Sequence, residues 1–94
     1  MDIARSDIVR SIAGRDKGKR FLVIDTQEQF LLLADGKTKR LEAPKRKKRK
    51  HTVWQAHCNS SVAMKIRSEE KVTNSELRRT LAAYGEDGNP DQEG

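Results

Sequence analysis

The chain has few of the residues that build cross-links, large cores or membrane spans. Its 94 residues include one cysteine, two prolines and four aromatic side chains, counting two Phe, one Trp and one Tyr. A single cysteine, Cys58, excludes an internal disulfide and suits a reducing compartment. The longest apolar run covers only residues 30–34, which is far shorter than a signal peptide or a membrane span requires. These absences predict one small cytoplasmic domain whose modest core gains from a partner.

Acidic residues are scarce through most of the chain. Twenty lysines and arginines stand against 14 acids, and the formal net charge is +6. All of the cations lie in residues 1–84, whereas residues 85–94 hold Glu86, Asp87, Asp91 and Glu93 and no cation. A compact body with such a cationic surplus attracts polyanions, of which nucleic acid is the commonest.

The sequence also lacks the motifs of the common enzyme classes. It contains no phosphate-binding loop of the nucleotide hydrolases, no dinucleotide fingerprint and no spaced carboxylate pair. His51, His57 and Cys58 do not have the spacing of a zinc site, and no acid or oxyanion feature accompanies them to activate the thiol. We therefore expect a protein that is not an enzyme and that binds no metal, cofactor, membrane or small-molecule substrate.

Short apolar runs bounded by turn residues predict a series of strands. Residues 7–13, 20–25 and 30–34 predict three, and Asp35 with Gly36 predicts a hairpin turn. Residues 37–42 then predict a fourth strand, with Leu41 inward and Pro44 ending it, and residues 51–54 a short fifth one with Val53 in the core. Strands of this length joined by tight turns predict a mainly β fold, a small antiparallel barrel.

Helical signals follow the strands. Ser60 or Ser61 could cap a short helix, and Thr73 with Glu76 fits a capping box. The apolar stripe of Leu77, Leu81 and Tyr84 predicts a helix over residues 75–84 that Gly85 ends. The second and third strands are apolar at consecutive positions, so this helical region is expected to cover the barrel. The predicted organisation is a barrel over residues 1–55, a helical extension over 56–84 and a disordered acidic tail over 85–94.

Gly14 and Gly18 flank a basic loop between the first two strands. Residues 9–18 resemble the KOW motif of ribosomal proteins and transcription elongation factors. The resemblance continues along the chain in Ala34-Asp35-Gly36, in the basic run after Pro44 and in residues 72–78. Together these segments make the chain similar to small bacterial KOW-domain RNA-binding proteins. These are relatives of the KOW-domain large-subunit ribosomal proteins of archaea and eukaryotes, the "fourteen-e" kind. The resemblance spans about residues 7–84, apart from residues 54–70.

This resemblance implies an SH3-like barrel that binds RNA through phosphate and shape contacts. The implied partner is 23S-type rRNA of the large ribosomal subunit, with neighbouring ribosomal proteins as further candidates. Gly14, Gly18 and Gly36 are expected to shape the backbone. Because six like charges repel one another, the basic tract, residues 45–50, is expected to stay extended and mobile until a polyanion neutralises it. The residues predicted to contact RNA are Arg15, Lys17, Lys19, Arg20, Lys37, Lys39, Arg40, Lys45, Arg46, Lys47, Lys48, Arg49, Lys50 and His51.

Several alternatives stay open at the level of sequence. In the first strand, the resemblance favours Val9 and Ala13 inward, whereas periodicity favours Ile8 and Ile12. Trp54 could stack on RNA or be buried. The basic tract also resembles a nuclear localisation signal. The whole chain could instead be a KOW protein-interaction module of the transcription or translation machinery, or a free RNA chaperone or regulator.

Overall fold

The computed structural model describes residues 2–88, with side chains described as far as Tyr84. It contains five strands, a 3-10 turn and two helices. The strands are β1 (Ile8–Ser11), β2 (Arg20–Gln27), β3 (Phe30–Ala34), β4 (Lys45–Lys48) and β5 (Thr52–Ala56). The 3-10 turn is Arg49–His51, and the helices are α1 (Ser61–Arg67) and α2 (Asn74–Gly88). The prediction of a mainly β fold is confirmed.

The five strands form one antiparallel sheet in the order β4-β3-β2-β1-β5. The first four strands follow one another as a meander, and the 3-10 turn carries the chain from β4 at one edge to β5 at the other. No ladder joins β4 to β5 within residues 2–88, so this sheet is not closed. Register shifts between Ile8 and Val9 and between Val23 and Asp25 mark irregularities, which bend and twist strands locally.

The two faces of the sheet bury separate apolar clusters. Val9, Phe21, Val23, Leu31 and Leu33 form one, with Ile3 packed against it. The second cluster lies on the opposite face of the sheet, between the strands and the two helices. Its buried members are Ile8, Leu22, Ala34, Val62, Ile66 and Leu77. Both faces are covered, as the consecutive apolar residues of β2 and β3 predicted. The two covered faces also answer which side of β1 points inward. Ile8 and Val9 are both buried on opposite faces, whereas Ile12 is exposed.

The prediction of a strand over residues 37–42 is wrong. This segment is a loop, and Pro44 precedes the fourth strand rather than ending one. The Asp35 carboxylate explains the loop, because its Oδ1 accepts hydrogen bonds from the backbone N–H groups of Lys37 and Lys39 at 2.9 and 2.8 Å. Those N–H groups are therefore occupied by a side chain, which is the usual way that Asp favours a turn over a strand.

The fourth strand is instead the first part of the basic tract. Lys45–Lys48 pairs with β3 in register from Leu33↔Lys45 to Phe30↔Lys48. Residues 45–48 are thus extended, as expected, but because they pair with β3 the expectation that the tract is mobile until a polyanion binds is wrong for them. Two contacts offset charge repulsion along the strand. Lys47 pairs with Asp16, and the Arg46 guanidinium lies 3.6 Å from the centre of the Phe30 ring.

Both predicted helices are present. Ser60 caps α1, since its hydroxyl accepts a hydrogen bond from the Ala63 N–H at 3.2 Å. The capping box at α2 is confirmed by bonds from the Glu76 N–H to Thr73 Oγ1 at 3.2 Å and from the Thr73 N–H to Glu76 Oε1 at 2.9 Å. Leu77 is fully buried, and Leu81 and Tyr84 pack beside it. None of the helices in the described part of the chain is long and apolar enough to cross a membrane.

Two smaller predictions fail. Val53 was expected in the core but is 38% exposed on the edge strand β5. Gly85 was expected to end the second helix, yet α2 continues to Gly88, so the first residues of the predicted acidic tail are helical. Residues 89–94, the rest of that predicted tail, lie outside the described residues.

Candidate nucleic-acid interface

The loop between β1 and β2 is held in shape by its own backbone. The Gly18 N–H donates to the Ser11 carbonyl at 2.8 Å, and the Lys19 N–H donates to the Asp16 carbonyl at 3.0 Å. Gly14 and Gly18 have φ of 85° and 92°, in the left-handed region that L side chains rarely adopt. The predicted backbone role of both glycines is consistent with these angles. Arg15, Lys17 and Lys19 are consequently exposed on a loop of defined shape.

Asp16 anchors that loop to β4. Its Oδ1 accepts hydrogen bonds from the Ser11 hydroxyl at 2.7 Å and from the Lys47 ammonium at 3.0 Å. The same ammonium donates to the Ala13 carbonyl at 2.9 Å. Burial raises the pKa of Asp16, but the bonds from Ser11 and Lys47 and the charges of Lys47 and Lys45 outweigh it, so the pKa lies below its ordinary value. The carboxylate stays ionised and fixes Lys47 in the interior.

The predicted RNA-contact set is therefore divided by the fold. The Lys47 side chain is 7% exposed and serves the structure. Arg49 donates to the Glu28 and Ile3 carbonyls at 2.5 and 3.1 Å, so its guanidinium also joins distant parts of the chain. The other cations of the set have no salt-bridge partner among the side chains described up to Tyr84.

The loop after β3 places further cations beside the first loop. Its five residues, 35–39, fold around the Asp35 carboxylate, whose Oδ2 also accepts a bond from the Thr38 hydroxyl at 2.8 Å. Burial raises the pKa of Asp35, but hydrogen bonds from the N–H groups of Lys39 and Lys37 and from Thr38 outweigh it and hold the pKa below its ordinary value. With its carboxylate occupied in this way, Asp35 holds Lys37 and Lys39 in place.

Three cationic grooves result. The loop groove, of about 340 Å³, is lined by Arg15, Asp16, Lys19, Thr38, Lys39 and Lys45. The helix groove, of about 500 Å³, shares Lys19 and Thr38 with it and adds Arg20, Asp35, Lys37, Arg78, Leu81 and Ala82. The turn groove, of about 320 Å³, is lined by Glu28, Gln29, Lys48, Arg49 and Lys50. The first two adjoin and make one surface, whereas the third groove shares no lining residue with them.

Arg78 is a member of this surface that sequence reasoning missed. It follows the buried Leu77 on α2, and its Nη1 donates to the Gly36 carbonyl at 2.5 Å. In the sequence, Arg78 ends the 72–78 segment of the resemblance and lies next to the core-facing stripe of a helix, but these signals become informative only once the docking of α2 on the 35–39 loop is known. Of the predicted set, five residues line none of the three grooves: Lys17, Arg40, Arg46, the buried Lys47 and His51.

Gly36 is the contact point between that loop and α2. Its φ is 78°, and a Cβ at this position would overlap the carbonyl of Asn74 and lie 3.1 Å from the Leu77 Cβ. The Asn74 side chain adds a bond from the Leu41 N–H to its Oδ1 at 2.8 Å. Gly36 is thus needed for close approach, in addition to its backbone conformation.

The remaining residues considered from sequence are engaged in local contacts. His57 Nδ1 lies 2.8 Å from the buried Asp7 Oδ1, and its ring meets the Trp54 ring edge-on at 5.1 Å between centroids. Cys58 Sγ lies 3.3 Å from the Ser60 hydroxyl. Trp54 is partly buried, and its Nε1 is buried without a hydrogen-bond partner among the described residues. These contacts favour the buried alternative for Trp54.

A scan against protein-family models and a search of curated proteins each found no match for this chain.

Proposed function

We propose that this chain is a cytoplasmic RNA-binding protein of the KOW type, without enzymatic activity, that binds 23S-type rRNA of the large ribosomal subunit. The observation that carries the proposal is the meeting of the loop groove and the helix groove at Lys19 and Thr38. Cations from five parts of the chain converge there: the β1–β2 loop, the start of β2, the 35–39 loop, the start of β4 and α2. A single acidic macromolecule can neutralise them together.

The internal acids leave this surface cationic. Asp16 and Asp35 line the grooves, but Asp16 is paired with Lys47 through Oδ1 and both Asp35 oxygens accept hydrogen bonds from within the chain, while Asp16 Oδ2 is buried with no partner among the described residues. The rim cations Arg15, Lys39 and Lys45 therefore stay available to phosphate. The major groove of A-form RNA is too deep and narrow for side chains to read the base edges. A protein therefore meets mainly phosphates and the 2′-hydroxyls of the shallow minor groove. Lysine-rich contacts position such a backbone more than they specify its sequence, so recognition proceeds through charge and shape.

The proposal includes an SH3-like barrel as the finer description of the fold. Its support is the strand order, in which a four-strand meander is followed by a 3-10 turn and a last strand that pairs with the first. At the two register shifts the unpaired residues are Gln55 of β5 and Ile24 of β2, and such irregularities bend a strand and increase its twist. A curved sheet with this order brings its two edge strands toward each other without requiring a ladder between them.

A salt titration tests the proposal. Binding of a bacterial 23S rRNA transcript is measured by filter retention between about 50 and 200 mM salt, the range over which multiple phosphate contacts weaken affinity by orders of magnitude. We expect the logarithm of the association constant to fall steeply and linearly with the logarithm of salt concentration. Absence of binding, or an affinity that salt hardly changes, would contradict RNA binding and favour the protein-interaction module.

A sedimentation experiment separates a ribosome component from a free RNA chaperone or regulator. Native lysate of the source cells is layered on a sucrose gradient, and the protein is followed by antibody. We expect it in the large-subunit fractions, and we expect ribonuclease treatment to move it to the top. Recovery at the top without ribonuclease would mean that the protein is not held by the subunit.

A further inference from the structure

The helix groove has a cationic rim and one apolar wall. Lys19, Arg20, Lys37 and Arg78 supply four cations, while Leu81 and Ala82 of α2 supply the wall. We propose that α2 is part of the RNA interface and that the Arg78 guanidinium binds a backbone phosphate of an RNA strand lying in this groove. The inference rests on the proposed function and extends it to a helix that the KOW resemblance did not bring into the site.

The guanidinium of Arg78 is held ready for such a contact. Nη1 donates to the Gly36 carbonyl at 2.5 Å, and the other guanidinium N–H groups have no hydrogen-bond partner among the described residues. The guanidinium is thus fixed at Nη1, and its remaining N–H donors are available to a phosphate as far as the described residues are concerned. A planar guanidinium presents paired donors that match two phosphate oxygens, and fixing it in advance reduces the entropy lost on binding.

The close approach of Gly36 to α2 determines where the Arg78 guanidinium is held. Because no Cβ separates Gly36 from Asn74 and Leu77, the 35–39 loop lies directly on the first turn of α2. Lys37 is consequently carried on the same loop whose carbonyl holds Arg78. The same helix steadies another cation, since the Arg20 guanidinium lies 5.4 Å from the centre of the Tyr84 ring. Two guanidinium groups of the groove are therefore fixed by contacts that involve α2.

The lining favours a nucleotide strand over a free anion. Asp35 is the one carboxylate among the lining residues, and backbone N–H groups and Thr38 already occupy its oxygens. Leu81 and Ala82 offer no hydrogen bond to a bare phosphate but suit the apolar edge of a ribose or base. At about 500 Å³, the groove has room for a nucleotide unit as well as its phosphate.

A matched pair of arginines tests the inference. Arg79 is the next residue of α2, carries the same charge and lines none of the three grooves. Arg78→Ala, Arg79→Ala and the parent are titrated with the 23S rRNA transcript at several salt concentrations. Arg78→Ala should weaken binding about tenfold, as expected for a hydrogen-bonded charged contact. It should also flatten the salt dependence by about 0.7 to 0.9 units, while Arg79→Ala leaves both close to the parent.

The slope of the salt dependence distinguishes a lost phosphate contact from a loss of folded protein. A variant that is partly unfolded lowers the active fraction but does not change how many phosphates the folded part neutralises. Arg78→Lys keeps the charge and should retain the parent slope. Equal slopes for Arg78→Ala and Arg79→Ala, or a slope for Arg78→Lys as shallow as that for Arg78→Ala, would overturn the inference. If the parent itself binds no RNA, the proposed function fails first.

Discussion

At the scale of single residues, Gly18 and Gly36 separate two reasons for using glycine. Both have positive φ, but a Cβ at Gly18 would meet open space, whereas at Gly36 it would overlap the Asn74 carbonyl. Gly18→Ala should therefore cost only the conformational strain, on the order of 1–3 kcal/mol. Gly36→Ala should cost more because α2 must also move. Urea denaturation of both variants measures the difference, and equal losses would mean that the loop does not rest on α2.

The Asp16–Lys47 pair predicts that one lysine of β4 differs from its neighbours. Lys47→Met should destabilise the protein by about 3–5 kcal/mol, because it leaves the buried Asp16 carboxylate without its cation. Lys48→Met, at the adjacent exposed position of β4, is the control and should change stability by at most about 0.5 kcal/mol. Thermal or urea unfolding compares them. Similar effects for the two variants would show that the pair contributes nothing to the fold.

The same pair makes stability depend on pH in one direction. The folded-state pKa of Asp16 lies below the ordinary value of about 3.9 for an unfolded chain. Its contribution is therefore complete above about pH 4 and is lost as the pH falls through the folded-state pKa. The unfolding free energy of the parent should drop in this acidic range more than that of Asp16→Asn, which cannot titrate. Parallel pH profiles for the two proteins would contradict this assignment.

At the scale of elements, the sequence predicted those parts whose signal is local. The strands β1 to β3 follow from apolar runs, and α2 follows from the capping box of Thr73 and Glu76 and its apolar stripe. The fourth strand was misplaced because its stability is not local. Six consecutive cations favour no strand by themselves, and β4 forms because β3 offers an edge, Asp16 neutralises Lys47 and Phe30 lies under Arg46.

The start of α2 gives a prediction with an internal control. Thr73→Ala removes the hydroxyl that accepts the Glu76 N–H bond, which should cost about 1 kcal/mol. Thr80→Ala removes a hydroxyl that donates to the Glu76 carbonyl within the helix, and that bond contributes little because alanine favours the helix interior. Urea unfolding of the two variants should therefore show a loss for Thr73→Ala alone. An equal or larger loss for Thr80→Ala would contradict the capping role.

At the scale of the whole molecule, charge density was predictable and its arrangement was not. Composition and the Gly14–Gly18 loop suffice to propose a polyanion partner. They do not reveal that Lys47 is interior, that Lys45 and Lys48 line different grooves, or that Arg78 joins the surface from α2. Each of these depends on segments that are separate in the sequence and meet only in the fold, and Lys47 with Asp16 and Arg78 with Gly36 are contacts over more than 30 positions.

The most direct test of the central claim removes the same number of positive charges from two different faces of the protein. In the groove variant, Arg15, Lys19 and Lys45 become Gln, and in the control variant Arg10, Lys71 and Arg79, all exposed outside the grooves, become Gln. Both lose three charges, so binding of 23S rRNA is compared at several salt concentrations. The groove variant should flatten the salt slope by about 2 to 3 units and the control by less than about one. Equal flattening in the two variants would mean that RNA responds to net charge alone and that these grooves are not a binding site.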